Sequence, residues 1–418
     1  MRAIFLSVLI SGSLSLSAQR SCGTSEYSKE QRMVNPAIAM AQATIENFIQ
    51  QGAIQSSAQS VAGSNSSSNV IRIPVVIHVL YNGEAQNVSE AQIRSGIDAL
   101  NRDFRKRNSD TANTPWRFKG LAADVEIEFA LATSDPKCSA TTGINRKWTP
   151  TAEWKMDDKI KASVHGGADA WDCKSYLNIW IGGMRKILGY ASQPGGAADK
   201  DGIVINTSSF GTIATGAPFN MGRTAVHEVG HWLGLKHVWG DTYCGDDQVY
   251  DTPVQGNFTT GCPSTFRSSC SNGEAGDMYM NYMDFTDDAC MNLFTEGQKQ
   301  RMRVLFNNGG PRASLLHSKG LSEPWTDDSV PEETPPAVIN EFKVYPNPAA
   351  SFIVLDFSHD ATWIGKEIAL LNINGSVVKK EKVSAKTQRL YTAFLKPGLY
   401  FIQAQNGDQK ILQKFIKL

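Results

Sequence analysis

The residues best suited to chemistry in this chain lie in the stretch HEVGHWLGLKH, residues 227 to 237. On a helix, His227 and His231 are four positions apart and share one face, so both imidazoles can bind one metal ion. Gly234 allows the helix to end and the chain to turn back, which brings His237 to the same ion. Three protein ligands leave a fourth position open, as in catalytic zinc sites.

Glu228 follows the first histidine directly and is placed to act as general base for the attacking water. A bound zinc would polarise the scissile carbonyl and make that water more acidic. A bare HExxH can arise by chance on an amphipathic helix, but the glycine and the third histidine are independent requirements. The complete pattern is the metzincin signature and predicts a zinc endopeptidase.

The same signature requires a methionine beneath the metal, because a soft apolar side chain can support three imidazoles. The stretch MNYMDFTDDACMNLF, residues 280 to 294, offers three candidates: Met280, Met283 and Met291. Periodicity does not choose between them, and each could equally be an ordinary core residue.

Several elements must position these side chains. The stretch MGRTAVHEVGHWLGL predicts the helix that carries the histidines. Strands are predicted for VIRIPVVIHVLY (70–81), DVEIEFALA (124–132), YLNIWIG and DGIVINTSS. A helix is predicted for SEAQIRSGIDALNRDFRKRN, with a serine cap and apolar residues at helical spacing. A weaker helix is predicted for residues 27–60.

The N-terminus MRAIFLSVLISGSLSLSA has an early arginine, a short apolar run and a Ser-x-Ala end, which predicts a signal peptide cut after Ala18. No other segment has about 18 consecutive apolar residues, so we expect an exported, soluble product in a compartment that permits disulfides. The 418 residues predict at least two folded units. The formal net charge of zero, without a basic stripe, argues against a nucleic-acid partner.

After His317 the chain becomes acidic and rich in proline, which predicts a linker over residues 318–338. Short β runs follow, and the Asn-Gly pairs at 374–375 and 406–407 are suited to hairpin turns. Residues 339–418 are therefore predicted to form a small all-β sandwich.

The stretches HEVGHWLGLKH and NYMDFTDDACMNLFT together resemble the pappalysin family of metzincins, and the resemblance covers roughly residues 70–317. It implies an α+β catalytic domain, with a twisted, mostly parallel sheet, backing helices and an active-site helix. It also implies that Met283 is the Met-turn residue. The family usually has a tyrosine two positions later, whose hydroxyl supports the transition state. This chain has Phe285, so that hydroxyl is missing.

The 7 cysteines are an odd number for an exported chain. Four of them cluster after the histidines, and sequence alone allows three pairings. The resemblance implies the bonds Cys244–Cys270 and Cys262–Cys290. By elimination, Cys138 would pair with Cys173.

That assignment leaves Cys22, in the stretch RSCGT, alone. A thiolate is a better zinc ligand than water, so a cysteine on a flexible N-terminal segment could fill the open position and keep the enzyme latent. RSCGT resembles the pro-segment motif of the pappalysin family, which predicts a pro-segment over residues 19–69. The polar stretch AGSNSSSN (62–69) is expected to be a hinge or a nick site. The alternative is a bond from Cys22 to another exported thiol.

Two further sites rest on the resemblance. Loops similar to YCGDDQVYDTPV bind calcium, which implies Asp247, Thr252 and Val254 as ligands; the alternative is a solvated acidic face. An aspartate at the position of Asp288 lines the pocket for the residue just after the scissile bond. A carboxylate there pairs best with a guanidinium, which predicts cleavage before Arg and less well before Lys. Alternatively, Asp288 is a solvated loop residue or caps the turn, like its neighbour Asp287.

The C-terminal stretches VYPNPA, KPGLYFIQ and KFIKL resemble the sorting domain of the type IX secretion system of Bacteroidetes. This implies export by outer-membrane secretion machinery and later removal of the domain. The whole chain is thus predicted to be a secreted zinc endopeptidase, made as a latent zymogen, that acts on protein or peptide substrates. The alternative is a non-enzymatic surface adhesin with a structural metal site.

Overall fold

A computed structural model describes residues 20–61, 70–324, 342–406 without 359 and 374, and 409–418. The predicted signal peptide, the predicted nick site at 62–69 and most of the predicted linker lie outside these described residues. None of the described helices combines the length and apolar character needed to cross a membrane. The chain divides into two units, Met1–Asp327 and Asp328–Leu418, and each is described by itself.

The first unit is built on a six-stranded sheet. Its strands are β1 (Ile71–Tyr81), β2 (Ile127–Leu131), β3 (Ile144–Trp148), β4 (Leu177–Gly182), β5 (Gly189–Ala191) and β6 (Ile203–Asn206). β1 pairs in parallel with β2, β3 and β4, and β4 pairs in parallel with β6. Only β5, at the edge, is antiparallel. The predicted mostly parallel sheet is confirmed.

Six α-helices among the described residues accompany this sheet. They are α1 (Thr24–Val34), α2 (Pro36–Val61), α3 (Glu90–Phe104), α4 (Trp116–Lys119), α5 (Arg223–Trp232) and α6 (Glu296–Val304). The serine predicted to cap α3 does so, since the side chain of Ser89 accepts a hydrogen bond from the backbone N–H of Gln92. The apolar face of α3 and the inner face of α5 pack in one core with alternate residues of the sheet, which fixes α5 against the strands.

The N-terminal helices lie on this unit. The weak helix predicted for residues 27–60 is two helices, because Asn35 is extended before Pro36. Ile49 of α2 is buried in the main core, and Arg301 of α6 forms an ion pair with Glu46. The predicted pro-segment therefore folds onto the catalytic unit over much of its length.

The chain stays on the first unit beyond His317. The Ser318 hydroxyl donates to the Ser175 carbonyl at 2.7 Å. The Gly320 carbonyl accepts from the N–H of Thr133 at 2.9 Å. Residues just after 317 thus belong physically to the catalytic unit.

The described part of the second unit is built of β-strands, with one short helical turn at Ala361–Trp363. Its strands are β7 (Lys343–Tyr345), β8 (Phe352–Asp356), β9 (Glu367–Asn372), β10 (Val377–Lys382), β11 (Thr387–Tyr391), β12 (Gly398–Asn406) and β13 (Gln409–Lys417). They form two antiparallel sheets, β10-β9-β12-β13 and β11-β8-β7. Residues of both sheets share one apolar core around Trp363 and Phe415. The predicted all-β sandwich is confirmed.

The two disulfides implied by the family resemblance are present, whereas the one inferred by elimination is not. The structure contains the disulfides Cys244–Cys270 and Cys262–Cys290, with Cα atoms 5.6 Å apart in each. Together they tie down the long loop that follows the histidines.

The predicted Cys138–Cys173 bond is wrong, since both thiols are free. Cys138 lies in a turn held by Asp135, whose backbone carbonyl accepts its N–H. The thiol of Cys173 instead lies in the field of Asp201 and Arg312. Counting thiols that remain carries no information about geometry, which is why elimination failed here.

Candidate active site

Three histidines converge at the end of α5. His227 and His231 project from one face of the helix, and Gly234, with φ of +82°, turns the chain so that His237 returns. The three Nε2 atoms lie 3.1 to 3.2 Å apart, and all three rings are buried. A tetrahedral zinc with Zn–N distances of about 2.1 Å separates its ligand nitrogens by about 3.4 Å, so the donor set fits zinc.

The cysteine of the N-terminal segment lies at the same point. The Sγ of Cys22 and the three histidine nitrogens all lie within 4.8 Å of one another. In the part of the chain that the structure describes, this is the one group of three or more His, Cys, Asp or Glu residues with metal-binding proximity. The structure thus brings together four of the predicted metal ligands.

The far nitrogen of each ring is held by an acceptor. His227 Nδ1 lies 2.7 Å from the Tyr282 carbonyl, and His231 Nδ1 lies 2.9 Å from the Leu235 carbonyl. His237 Nδ1 lies 2.5 Å from a carboxylate oxygen of Asp241. These bonds aim the Nε2 atoms at the common point. Sequence reasoning missed Asp241, although a carboxylate four residues after the third histidine was a usable signal.

Burial favours the neutral form of His227 and His231. It lowers the pKa of His227 well below its ordinary value, helped by the neighbouring His231. It also lowers the pKa of His231 to about 3, together with the charge of His237. Neutral imidazole is the form that binds a metal, so the site is prepared for one at neutral pH.

Glu228 lies beside the histidines and is also buried. Burial raises the pKa of its carboxyl to about 7. Its Oε2 accepts a hydrogen bond from the Thr24 hydroxyl at 2.8 Å, and the Cys22 thiol lies 3.4 Å away. Glu228 and Cys22 are predictable from sequence motifs, whereas the role of Thr24 depends on a long-range contact that no motif indicates.

Beneath the site, Met283 is the methionine that supports the histidine helix. A Cβ added to Gly230 of α5 would lie 2.5 Å from its sulfur, so the helix and the methionine touch. Its carbonyl accepts the N–H of Val238, next to the third histidine. Met280 lies in a separate apolar cluster around Phe118. Position, rather than composition, therefore distinguishes Met283.

Phe285 forms an aromatic wall of the site. Its ring centroid lies 4.9 Å from that of His237 and 4.8 Å from that of Trp239. The ring centroid of His227 lies 5.7 Å from that of Phe285. The residue packs against two of the histidines and has no hydroxyl to offer a substrate.

The segment around Cys22 crosses the cleft along the edge strand β5. The Ser21 carbonyl accepts from the N–H of Leu188, and the N–H of Gly23 donates to the Gly189 carbonyl, both at 2.9 Å. The pairing of Cys22 with Gly189 is parallel. Glycine at position 23 allows this close approach, because a Cβ there would lie 2.4 Å from the sulfur of Met156, which would have to move.

Asp288 lies at the end of this segment, fully buried, in an ion pair with Arg20. Its other oxygen accepts from the backbone N–H of Met221 at 2.8 Å. The Arg20 guanidinium lies over the ring of Phe219 and also donates to the Thr286 carbonyl. Asp288 is therefore not the solvated loop residue of the alternative interpretation. Arg20 was missed, although RSCGT displays a basic residue two positions before the cysteine.

The predicted calcium ligands are only partly brought together. Asp247 is buried, and its carboxylate accepts from the Thr252 hydroxyl at 2.8 Å and from the Val249 N–H at 3.1 Å. Burial raises the pKa of Asp247 to about 7. The Val254 carbonyl instead accepts from the Asn272 amide at 3.1 Å.

Residues 160–307, which include this centre, match the family model described as Pregnancy-associated plasma protein-A. Mature mirolysin of Tannerella forsythia, in complex with a cleaved peptide, is 48% identical with a TM-score of 0.59, covering 60% of this chain and 97% of that one. Promirolysin of the same organism is 43% identical with a TM-score of 0.65, covering 71% and 97%. An extracellular metalloprotease of Pyricularia oryzae is 30% identical over 276 residues, 62% of this chain and 85% of the relative.

The chain belongs to the pappalysin family of metallopeptidases. Its membership confirms the predicted enzyme class, a metal-dependent hydrolase of peptide bonds, over the adhesin alternative. Residues 343–418 match the model described as Secretion system C-terminal sorting domain. That match and the extracellular relatives confirm the predicted export to the cell surface or the surrounding medium. Within the pappalysin family, Phe285 remains a departure from the usual tyrosine.

Proposed function

We propose that this chain is the latent precursor of a secreted zinc endopeptidase that cleaves before Arg and, less well, before Lys. The observation that carries the proposal is one short segment in the cleft. Its Cys22 lies among the three histidines while its Arg20 is bonded to Asp288. The peptidase class follows from the family, and the metal, the base, the specificity and the latency are proposed here.

In the activated enzyme, His227, His231 and His237 would hold the zinc. The ion supplies Lewis-acid polarisation of the scissile carbonyl and acidifies the attacking water. Glu228 takes the proton from that water and passes it to the leaving amine. In the latent structure, burial raises the pKa of Glu228 to about 7. Once the pro-segment has left, this carboxylate would lie beside the water and could accept and return its proton.

Substrate specificity rests on Asp288. Its carboxylate is fully buried and keeps one oxygen bonded to backbone N–H groups, so the other is free to pair with a guanidinium that enters the pocket. The Arg20 side chain already occupies this position and is 2% exposed. A lysine ammonium offers only a single point charge, and we expect it to bind less well.

Latency has three components in this proposal. Cys22 would take the fourth position on the zinc, Thr24 holds the carboxylate of Glu228, and Arg20 fills the specificity pocket. The chain direction also matters. A substrate presents its arginine after the scissile bond, whereas Arg20 precedes Cys22, so the segment runs through the cleft in the opposite sense and is protected from cleavage.

Activation by the enzyme itself is disfavoured by the position of its basic residues. Between Met33 and Ile71 there is no Arg or Lys. Arg32 lies in helix α1 and Arg72 in strand β1, so the backbone at both positions is held in regular secondary structure. We therefore propose that another protease makes the activating cut, within the predicted nick site at 62–69.

A calcium ion is proposed at Asp247 and Thr252, with the Val254 carbonyl as a third ligand. A cation would explain why a carboxyl that is 4% exposed faces a hydroxyl and backbone rather than a basic side chain. Calcium should then raise the melting temperature of the wild type and not of Asp247→Asn. An equal rise in both proteins would contradict the site.

The sorting domain supports a route for export. We propose that residues from about 339 onward direct the chain through outer-membrane type IX secretion machinery and are removed afterwards. Intact mass and C-terminal sequencing of the exported protein should give an end before residue 343. An exported product that keeps residues 343–418 would contradict removal.

The proposed chemistry is tested by Glu228→Ala in the enzyme whose pro-segment has been removed. Casein digestion should fall by several orders of magnitude while zinc content and melting temperature stay unchanged. Glu90→Ala, on the exposed side of α3, is the matched control. Substantial activity in pure, zinc-loaded Glu228→Ala would overturn the mechanism.

A further inference from the structure

A tyrosine of the pro-segment fills a deep pocket next to the cleft. Tyr27 is 3% exposed, and its hydroxyl donates to the Oδ2 of Asp158 at 2.7 Å. Its ring centroid lies 4.9 Å from that of Tyr190 and 5.0 Å from the ammonium of Lys161. We call the site formed by Asp158, Lys161, Trp180 and Tyr190 the Tyr27 pocket.

The pocket is held together by contacts that do not involve Tyr27. Lys161 pairs with the Oδ1 of Asp158 at 3.0 Å and donates to the Lys200 carbonyl at 2.9 Å. Tyr190 donates to the same Oδ1 at 3.3 Å. Release of the pro-segment would therefore leave the walls in place, with the Oδ2 of Asp158 lacking its donor and pointing into the vacated space.

The pocket begins one residue along β5 from the catalytic centre, on the other face of the sheet. A Cβ added to Gly189 would lie 3.0 Å from the Cγ of Glu228, whereas the next residue, Tyr190, points to the opposite face and packs with Val204 and Trp180. Along the pro-segment, Arg20 enters the Asp288 pocket, Cys22 reaches the histidines and Tyr27 follows beyond them. In chain order, Cys22 at the histidines therefore lies between the residue in the Asp288 pocket and the residue in the Tyr27 pocket.

We propose that the Tyr27 pocket is a substrate subsite of the activated enzyme, which accepts a tyrosine side chain two or three residues before the scissile bond. This inference rests on the proposed function. A substrate with its arginine in the Asp288 pocket runs opposite to the pro-segment, so its residues before the scissile bond extend toward Tyr190. The helical rise of about 1.5 Å per residue puts Tyr27 about 6 Å beyond Gly23, which an extended peptide covers in about two residues.

The groups that line the Tyr27 pocket determine which substrate side chains it should prefer. Lys161 lies 4.8 Å from the ring centroid of Tyr190 and 5.4 Å from that of Trp180, so its ammonium favours another aromatic face beside it. Asp158 adds an acceptor for a phenolic hydroxyl. The order of preference is therefore tyrosine, then phenylalanine, then leucine or alanine.

The test uses the enzyme that is produced from the full-length precursor by proteolytic removal of the pro-segment. Peptides would share one sequence with Arg after the scissile bond and carry Tyr, Phe, Leu or Ala at the second or third position before it. We expect kcat/KM for the best tyrosine peptide to exceed that for its alanine counterpart by about tenfold. Asp158→Asn should reduce the ratio of tyrosine to phenylalanine, while Asp157→Asn, on the exposed neighbour, should not.

The outcomes separate this inference from the proposed function. Cleavage before Arg with equal kcat/KM for all four peptides would overturn the subsite and leave the proposed function intact. Absence of any zinc-dependent cleavage would overturn the proposed function itself. If Asp158→Asn does not fold, the comparison of peptides with the wild-type enzyme still decides.

Discussion

Arg20 and Asp288 form an ion pair in which both side chains are almost fully withdrawn from solvent. The pair joins the pro-segment to the predicted specificity pocket of the same chain. A buried charge without a partner is strongly destabilising, so whatever replaces Arg20 after activation is expected to be basic. The proposed preference for arginine would thus match the side chain that the pro-segment already places in this pocket.

The specificity prediction follows directly. Asp288→Asn in the activated enzyme should lower kcat/KM for a peptide with Arg after the scissile bond by at least about 100-fold, because a buried guanidinium loses its counter-charge. A matched peptide with methionine at that position should be much less affected. Asp287→Asn, at the half-buried neighbour, is the control. An unchanged preference for Arg in Asp288→Asn would exclude Asp288 as the selecting group.

Latency is tested at the cysteine. Cys22→Ala in the full-length precursor should raise hydrolysis of a fluorogenic Arg peptide well above that of the wild-type precursor, because the proposed zinc would then lack the thiol as its fourth ligand. Thr24 and Arg20 remain in place, so we expect less activity than in the processed enzyme. Cys138→Ala removes another free thiol and is the control. If the Cys22→Ala precursor were as inactive as the wild-type precursor, the contacts of Thr24 and Arg20 would be sufficient for latency.

Much of the site could be predicted from sequence because its residues are close in the chain. His227, Glu228 and His231 occupy one helix, and their spacing alone sets their common face. The strands were predictable from their apolar runs, since a parallel sheet buried on both faces needs them. Such patterns involve residues that are close in sequence, so they can be recognised from the sequence alone.

The missed features depend on contacts between distant segments. Arg20 meets Asp288 across 268 positions, and Thr24 meets Glu228 across 204. No periodicity connects such pairs. The wrong Cys138–Cys173 bond had the same origin, because elimination assumed that two remaining thiols must meet. Only the resemblance supplied long-range information, and it concerned motif residues alone.

A pH dependence of stability is expected from His78 in β1. Burial lowers its pKa to about 4, and its Nδ1 accepts from the Asn145 amide while its Nε2 donates to Asn178. The ordinary value is 6.5 in the unfolded chain, so below that pH the unfolded chain binds the extra proton and stability falls. The loss should reach about 3 kcal/mol by the folded pKa.

The matched variant is His78→Gln, which keeps a donor toward Asn178 without a titrating group. Urea unfolding of both proteins, each also carrying Glu228→Ala to prevent self-digestion, should show a smaller fall in unfolding free energy for the variant from pH 7 to pH 4.5. The metal-binding histidines titrate in both and cancel in the difference. Parallel pH profiles would show that His78 does not contribute.

The last prediction concerns where the catalytic unit ends. Chains truncated after residue 324 should keep full peptidase activity once activated, because the second unit has its own core. Chains truncated after His317 lose the bonds from Ser318 to Ser175 and from Thr133 to the carbonyls of Gly320 and Ser322. At about 1 kcal/mol for each bond, the shorter chain should be less stable by about 2–3 kcal/mol in urea. Equal stability of the two chains would show that residues 318–324 add nothing. Loss of activity in the longer chain, with zinc retained, would mean that the sorting domain shapes the active site.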